Sequence, residues 1–300
     1  MTNPPLPVLV NREGGAAAKA GEGLRDTIDA AFAAAGTQAE IRLLAADEIA
    51  DAVKHAAGQS PRIAVAGGDG TMACAAQALR GAECEMALLP LGTLNHLARD
   101  LKVPAAIGAA AQLAVQGRAI AIDVGTVNGQ RFVNNASVGI YSEMVRERDA
   151  VRERRHWPKW LATVPAAWAT LERLAPHRLR IDLGHGGKSV RTPLLFIGNG
   201  VYSLDRGEVG CRSTLQDGRL GVYAVAHRSR TSLLWFAARA IVGRADPQAD
   251  FELMGETERL QVAAHGRHIE IAMDGEVRRM ATPLKFAVER GALRVVAGEA

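Results

Sequence analysis

The sequence predicts an α/β fold in two parts: an N-terminal α/β domain built on a parallel sheet, and a C-terminal antiparallel β-sandwich domain. The first part alternates short apolar runs with stretches that repeat apolar residues at helical spacing, which is typical of a parallel sheet covered by helices. The second part consists mainly of short strand-like runs separated by glycine-containing turns, which favours an antiparallel sandwich. The expected domains are 1–124, with 288–300 as a candidate segment to complete it, and 125–287.

Strand-like and helix-like segments follow one another in the first part. Each apolar run is short enough for a buried strand, and a helical pattern comes after each one. Gly36 marks the expected end of the first helix. The predicted strands are 7–11, 40–44, 62–67 and 86–91, and the predicted helices are 23–35, 47–57, 71–79, one from about 95, and 104–116.

The second part is predicted to be mostly strands. Its apolar runs are short, several of them alternate with polar residues, and glycine or Asp-Gly pairs separate them. The predicted strands are 120–127, 130–135, 178–183, 192–198, 220–225, 259–264, 268–273 and 283–288.

Composition excludes several protein classes. With 48% hydrophobic and 23% charged residues, the chain is an ordinary globular one, and no apolar run reaches the roughly 18 residues of a membrane-spanning helix. The N-terminus lacks a basic leader, and the three cysteines are widely spaced, so a cytoplasmic location is expected. A net charge of +4 with only 4% aromatic residues argues against nucleic acid as a partner.

A glycine cluster follows the predicted strand 62–67. The run Gly67-Gly68-Asp69-Gly70-Thr71-Met72-Ala73 leads into a helix, and glycines at a helix start let backbone amides approach a phosphate. Asp69 repels a bare phosphate, so its presence indicates a nucleotide bridged by Mg²⁺. An ordinary tight turn with Asp69 as a helix cap is the alternative.

A dinucleotide site is a second alternative for this loop. Gly68, Gly70 and Ala73 fit the weak pattern G-x-G-x-x-A, but the next strand ends without the acid that would bind the ribose. That strand instead leads into another turn, 90–95, in which Thr93 can donate to phosphate and Asn95 can cap a helix. Turns after parallel strands open on one edge of the sheet, so the two turns are expected to form one crevice.

Together these two turns resemble the diacylglycerol kinase catalytic-domain family, which includes bacterial soluble lipid kinases and sphingosine kinases. The resembling motifs are Gly-Gly-Asp-Gly-Thr at 67–71 and Pro-Leu-Gly-Thr-x-Asn at 90–95. Further resembling segments lie in order along nearly the whole chain: the first strand with Asn11, Asp123-Val-Gly, 132–139, Asp217-Gly-x-Leu and Asp274-Gly-Glu.

The resemblance implies an ATP-dependent transfer of the γ-phosphoryl group to a lipid hydroxyl, with the active site between two domains. It implies that Asp274 is the general base, with Glu276 beside it, because a hydroxyl acceptor needs a carboxylate within hydrogen-bond reach. The implied nucleotide-binding residues are Asn11, Gly67, Gly68, Asp69, Gly70, Thr71, Met72, Ala73, Thr93, Asn95 and Asp123. The implied Mg²⁺ site combines the Asp217 carboxylate with the backbone carbonyls of Thr214 and Arg219.

Substrate and activity stay open at the level of sequence. His96 stands where family members commonly have an acid, and the acceptor could be diacylglycerol, phosphatidylglycerol or a sphingoid base. A NAD kinase, which shares the Gly-Gly-Asp-Gly-Thr loop, and a non-catalytic nucleotide or lipid sensor are the alternative functions.

The segment 146–160 is a candidate membrane contact. It combines a basic run with two tryptophans, which suits the interface of an anionic membrane, although Asp and Glu within it are also typical of a solvated helix face. The sequence therefore predicts transient peripheral binding at the inner membrane surface, and a homodimer stays open.

Overall fold

A computed structural model describes residues 4–13, 23–139, 177–184, 186–203, 212, 214–225 and 251–298. The chain divides into two units: a first unit of 1–124, 130–134 and 289–300, and a second unit of 125–129 and 135–288. The segment 146–160 lies outside the described residues, so its membrane contact stays a prediction. No helix within the described ranges is long and apolar enough to cross a bilayer.

The first unit is a parallel sheet with helices, as the sequence predicts. Its first four strands pair in parallel in the order β2-β1-β3-β4. Consecutive residues in the middle of β1, β3 and β4 are buried on both faces of the sheet. This burial is the reason why these strands are continuous apolar runs in the sequence. The elements are β1 Leu6–Asn11, α1 Gly23–Ala34, β2 Ala39–Leu44, α2 Ile49–Ala57, β3 Arg62–Gly67, α3 Asp69–Ala78, β4 Glu85–Pro90, α4 His96–Asp100 and α5 Ile107–Gln116.

The helices of the first unit follow from their apolar spacing. In α1, Leu24, Ile28 and Phe32 recur every four residues and are buried. Helix α2 begins at Ile49, two residues later than predicted. The reason is a preceding turn, in which the Glu48 carboxylate accepts a hydrogen bond from the amide of Ala45 at 2.7 Å.

The second unit is antiparallel. One sheet has the order β12-β11-β10-β7-β14-β15, and a second run of strands has the order β16-β13-β8-β9. The predicted fold class, a parallel α/β domain followed by an antiparallel β domain, is confirmed. The remaining strands are β5 Ala119–Val127, β6 Gln130–Phe132, β7 Asn135–Gly139, β8 His177–Asp182, β9 Lys188–Thr192, β10 Leu194–Asn199, β11 Leu220–Val225, β12 Phe251–Thr257, β13 Arg259–Ala264, β14 His268–Met273, β15 Glu276–Ala281 and β16 Leu284–Val296.

Strand β16 extends well beyond the predicted 283–288 and contributes to both units. Its first part pairs with β13, and near its end Val295 pairs in parallel with Met86 of β4. The last residues of the chain therefore extend the parallel sheet of the first unit.

An ion network fixes the start of β3 and β4. The Arg62 guanidinium donates to Glu85 at 2.7 and 2.9 Å and to three carbonyls at the end of α5, and Arg294 of β16 donates to the same carboxylate at 2.8 Å. The hydrogen bond from Arg294 is the main cause that lowers the pKa of Glu85 below its usual value. The hydrogen bond and the positive charge of Arg62 lower it further. The amino-terminal edge of the parallel sheet is thus tied together by side chains.

Candidate active site

The carboxyl end of β1 is tied to the first glycine loop. The side-chain nitrogen of Asn11 donates to the Thr71 hydroxyl at 2.9 Å, and its side-chain oxygen Oδ1 accepts from the backbone amide of Glu13 at 3.0 Å. Thr71 is 7% exposed, so its hydroxyl is held in the interior of the loop. Two predicted nucleotide-binding residues, Asn11 and Thr71, therefore meet.

The two predicted turns pack backbone against backbone. A Cβ placed on Gly92 would lie 2.6 Å from the Cα of Gly68, and one placed on Gly67 would lie 2.5 Å from the Thr71 side chain. The amide of Leu91 also donates to the carbonyl of Gly67 at 2.9 Å. Glycine is required here because the loops approach each other more closely than any side chain allows.

Helix α3 begins at Asp69, two residues before the predicted start, and no side chain caps it. Gly68 occupies the cap position in an extended conformation with φ −95°, and no side-chain hydrogen bond caps the helix. The interpretation of Asp69 as a helix cap is therefore wrong. Uncapped amides at a helix start are suited to bind an anion.

The Asp69 carboxylate faces the second turn. It accepts from the amide of Leu97 and from the side chain of Asn134, each at 3.4 Å. Both contacts are long for hydrogen bonds, so they position the carboxylate while using little of its capacity as an acceptor.

Asn95 closes the second turn rather than capping α4 with its side chain. Its side-chain oxygen accepts from the amide of Gly92 at 2.9 Å, and its side-chain nitrogen donates to the Gly92 carbonyl at 2.8 Å. The backbone of Asn95 is left-handed, with φ 50° and ψ 48°. Within the loop that this clamp holds, Thr93 is exposed and Leu94 is 61% exposed, while His96 starts α4 half-buried.

Two other predicted nucleotide-binding residues, Asp123 and Met72, are buried. Asp123 in β5 is 6% exposed, and its carboxylate accepts from the amide of Gly291 at 2.8 Å. Met72 is 3% exposed, so its side chain belongs to the core of the first unit. Only its backbone is in a position to contact a nucleotide.

The predicted base Asp274 lies in the two-residue turn between β14 and β15. Asp274 and Gly275 have φ 46° and 89°, which is the conformation of a tight hairpin turn. The amide of Asp274 donates to the carbonyl of Asn135 at 3.0 Å, and the amide of Asn135 donates to the Asp274 carboxylate at 3.2 Å. Glu276 beside it is exposed and pairs with Arg278 at 3.0 Å.

The predicted Mg²⁺ ligands come together in the turn before β11. The amide of Arg219 donates to the Asp217 carboxylate at 3.2 Å, and the Arg219 carbonyl accepts from the amide of Gly200 at 3.0 Å. A Cβ on Gly200 would lie 3.2 Å from the Thr214 carbonyl. No cluster of three or more His, Cys, Asp or Glu side chains suited to a metal is found within the described ranges, so any site in this turn would depend mainly on carbonyl oxygens.

An aromatic cluster lies beside this turn. The Tyr223 hydroxyl accepts from the amide of Tyr202 at 2.8 Å and donates to the Tyr202 carbonyl at 3.1 Å. The ring of Phe196 meets both tyrosines edge-on, at 5.5 and 5.9 Å between centroids. Burial is the main cause that raises the pKa of Tyr223. The hydroxyl therefore serves as a neutral, fixed hydrogen-bond partner.

Asn134 was not identified as a site residue from the sequence, although it contacts Asp69. Its neighbour Asn135 holds Asp274 through the backbone, and the peptide bond between them passes from the first unit to the second. In the sequence, the signal for Asn134 was the Asn-Asn pair inside the segment 132–139. The active site expected between the two domains stays a prediction.

Comparison with known proteins agrees with the motifs. The family model of the diacylglycerol kinase catalytic domain matches residues 5–127, which confirms the resemblance seen in the sequence. A curated protein of Yersinia pestis (strain Pestoides F), named "Probable lipid kinase YegS-like", is 42% identical over 86 residues. That match covers 27% of this chain and 29% of the relative, so it spans less than a third of the relative's length.

Solved structures match the chain over almost its whole length. A crystal structure from Bacillus anthracis strain Sterne has a TM-score of 0.75 at 21% identity and covers 98% of this chain and 95% of that chain. A second one from the same organism, of a diacylglycerol kinase, has a TM-score of 0.69 at 19% identity and covers 98% and 97%. At this level of identity, the likeness shows the two-part fold.

Proposed function

We propose that the protein is an ATP- and Mg²⁺-dependent lipid kinase, because residues 5–127 match the family model of the diacylglycerol kinase catalytic domain. The observation that carries the proposal is the close packing of Gly68 against Gly92 beside the uncapped start of α3. Two backbone loops held this closely present amides to a phosphate without side chains in between.

The residues of the first unit fit a nucleoside triphosphate. The first-turn amides of α3 and the exposed Thr93 hydroxyl would donate to phosphate oxygens. Bound Mg²⁺ would neutralise charge on the transferred phosphoryl group, which is the main requirement of this chemistry. Asp69 is the carboxylate that would face such a cation, since it is held beside both turns by long contacts only.

Asp274 would accept the proton of the lipid hydroxyl. In the proposed reaction the hydroxyl oxygen attacks the γ-phosphorus, the bond to the bridging oxygen breaks, and ADP leaves. The two hydrogen bonds to Asn135 fix the turn, so the carboxylate is presented at a defined position at the end of β14. A base that the fold already holds in place is effective, because the carboxylate does not have to be reoriented before it accepts the proton.

The test is transfer of label from [γ-³²P]ATP to diacylglycerol, phosphatidylglycerol and sphingosine in mixed micelles with Mg²⁺. Asp274→Asn should lower transfer by about a hundredfold to ten-thousandfold and leave ATP binding intact. Asp182→Asn is the matched control, because this half-buried carboxylate at the end of β8 also accepts a backbone amide, that of Gly184 at 2.9 Å. Wild-type rates in Asp274→Asn would remove Asp274 from the role of base.

Two further arms of the assay separate the alternatives. Label transfer to NAD without transfer to any lipid would replace the proposal with a NAD kinase. ATP binding without transfer to either class of acceptor would support the sensor instead.

Peripheral contact with an anionic membrane is part of the proposal, because the acceptor lies in a bilayer. The basic and tryptophan-containing run 146–160 is its sequence support. Flotation with vesicles that contain phosphatidylglycerol should decline when Arg152, Arg154, Arg155 and Trp157 are replaced. Unchanged flotation would show that another surface contacts the membrane.

A further inference from the structure

A surface cavity of 290 Å³ lies in the second unit, apart from the predicted metal turn. Its wall is built from the start of β8, the end of β13 with the following turn, and β14, together with Gly139 at the end of β7. The polar side chains that line it are His177, Arg178, His265, His268 and Glu270. Three imidazoles and one guanidinium around one cavity are unusual for a chain that has eight histidines in 300 residues.

Glu270, the one carboxylate among the described residues that line the cavity, has a cationic neighbour. Glu270 of β14 stands directly opposite Arg279 of β15, and side chains at opposite positions of paired antiparallel strands share a face. On β8, Arg178 stands opposite Arg191 of β9 in the same way. These three arginines outnumber the carboxylate, so the charged groups of β8, β9, β14 and β15 around the cavity sum to a positive charge.

Among the described residues, the two other elements at the cavity add no acid to its lining. The turn between β13 and β14 contributes His265, and β7 contributes Gly139. No metal-type cluster of His, Cys, Asp and Glu is found among the described residues, although three histidines line one wall. A cation therefore has no ready ligand set here, while an anion meets donors on several sides.

We propose that this cavity binds a phosphate group, either free or as part of a lipid headgroup. Guanidinium is the side chain that best matches phosphate geometry, and imidazole N–H groups donate further hydrogen bonds. The site is separate from the predicted base. His268 begins β14 and Asp274 follows its end, so at about 3.3 Å per residue the two are roughly 20 Å apart along the strand. The proposal stands whether or not Asp274 acts as a base.

The first test uses sulfate as the probe for the phosphate group. Addition of sulfate to the protein, followed by histidine NMR signals, should show saturable binding. Replacement of both Arg178 and His268 by alanine should weaken sulfate binding by about tenfold or more, because charge-assisted hydrogen bonds are the strongest contacts that the cavity offers. Thermal melting shows whether the variant is folded.

His55→Ala is the matched control, because this exposed histidine lies on α2 in the first unit. It should bind sulfate like the wild type. Absence of saturable binding, or equal affinity in the folded double variant, would overturn the proposal.

The second test identifies the source of the phosphate. Inorganic phosphate and short-chain phosphatidic acid, below its micellar concentration, are compared at one pH. Tighter binding of the lipid would assign the cavity to a headgroup, and equal binding would assign it to free phosphate. Binding of the lipid that survives the Arg178 and His268 replacements would show that this cavity is not the site.

Discussion

Replacement of Gly92 by alanine tests whether the close approach of the two turns is what builds the nucleotide site. The added Cβ would lie 2.6 Å from the Cα of Gly68 and 2.6 Å from the side-chain oxygen of Asn95. Carbon atoms in contact prefer about 3.5–4.0 Å, so the loops must separate by roughly 1 Å. Overpacking of this kind costs about 1–3 kcal/mol. We also expect a large loss of ATP affinity, because the separation moves the amides that would face the phosphates in the proposed site.

Gly108→Ala is the control for this substitution. Gly108 lies in helix α5, and a Cβ added there would meet nothing within 4 Å, so alanine should stabilise the helix by up to about 1 kcal/mol. Urea unfolding gives the stability of each variant, and calorimetric titration gives its ATP affinity. Wild-type ATP affinity in Gly92→Ala, with a stability equal to that of Gly108→Ala, would refute the reasoning.

Three further predictions concern groups whose chemistry the fold has changed. Because the folded pKa of Glu85 is lowered from 4.5, its ion network stabilises the protein above that pH and loses its effect as the pH falls through the folded value. Urea unfolding should therefore show Glu85→Gln about 1 kcal/mol less stable at pH 7, with the difference vanishing in acid. Burial, with help from the Glu85 charge, raises the pKa of Cys84 to about 11, so iodoacetamide at pH 8 should modify Cys84 only after unfolding, as peptide mapping would show. Tyr223→Phe removes both bonds to the Tyr202 backbone and should cost about 1–3 kcal/mol in urea unfolding; a variant as stable as the wild type would mean that water replaces the hydroxyl.

The parallel sheet could be predicted from the sequence because each strand is buried on both faces. Runs such as 62–67 and 86–91 are apolar at every position in the middle, so local composition alone identifies them. Strands β9 and β15 were missed for the opposite reason. Lys188–Thr192 has one aliphatic residue among polar ones, and Glu276–Ala281 carries two exposed arginines. These strands are held by pairing with β8 and β14, which no local pattern reveals.

In the candidate site too, some features could be predicted from the local sequence and others could not. Glycines and the Asp274-Gly275 turn could be predicted locally, because close approach and positive φ restrict the residue type. The partners of the acids could not. Asp123 meets Gly291 and Asp69 meets Asn134, which are contacts between segments far apart in the chain. Such pairs depend on topology rather than on the pattern around either residue.

The two edges of the parallel sheet differ in how firmly their charges are held. At the amino-terminal edge, Glu85 accepts three bonds of 2.7–2.9 Å from Arg62 and Arg294. At the carboxyl-terminal edge, Asp69 is held by two contacts of 3.4 Å, and the loops around it are fixed by glycine packing and by Asn11 and Asn95. A carboxylate on a rigid backbone, with its acceptor capacity little used, gains most when a cation arrives. The arrangement therefore places structural charge at one edge and leaves the Asp69 charge at the other edge able to face a cation, as the proposed function requires.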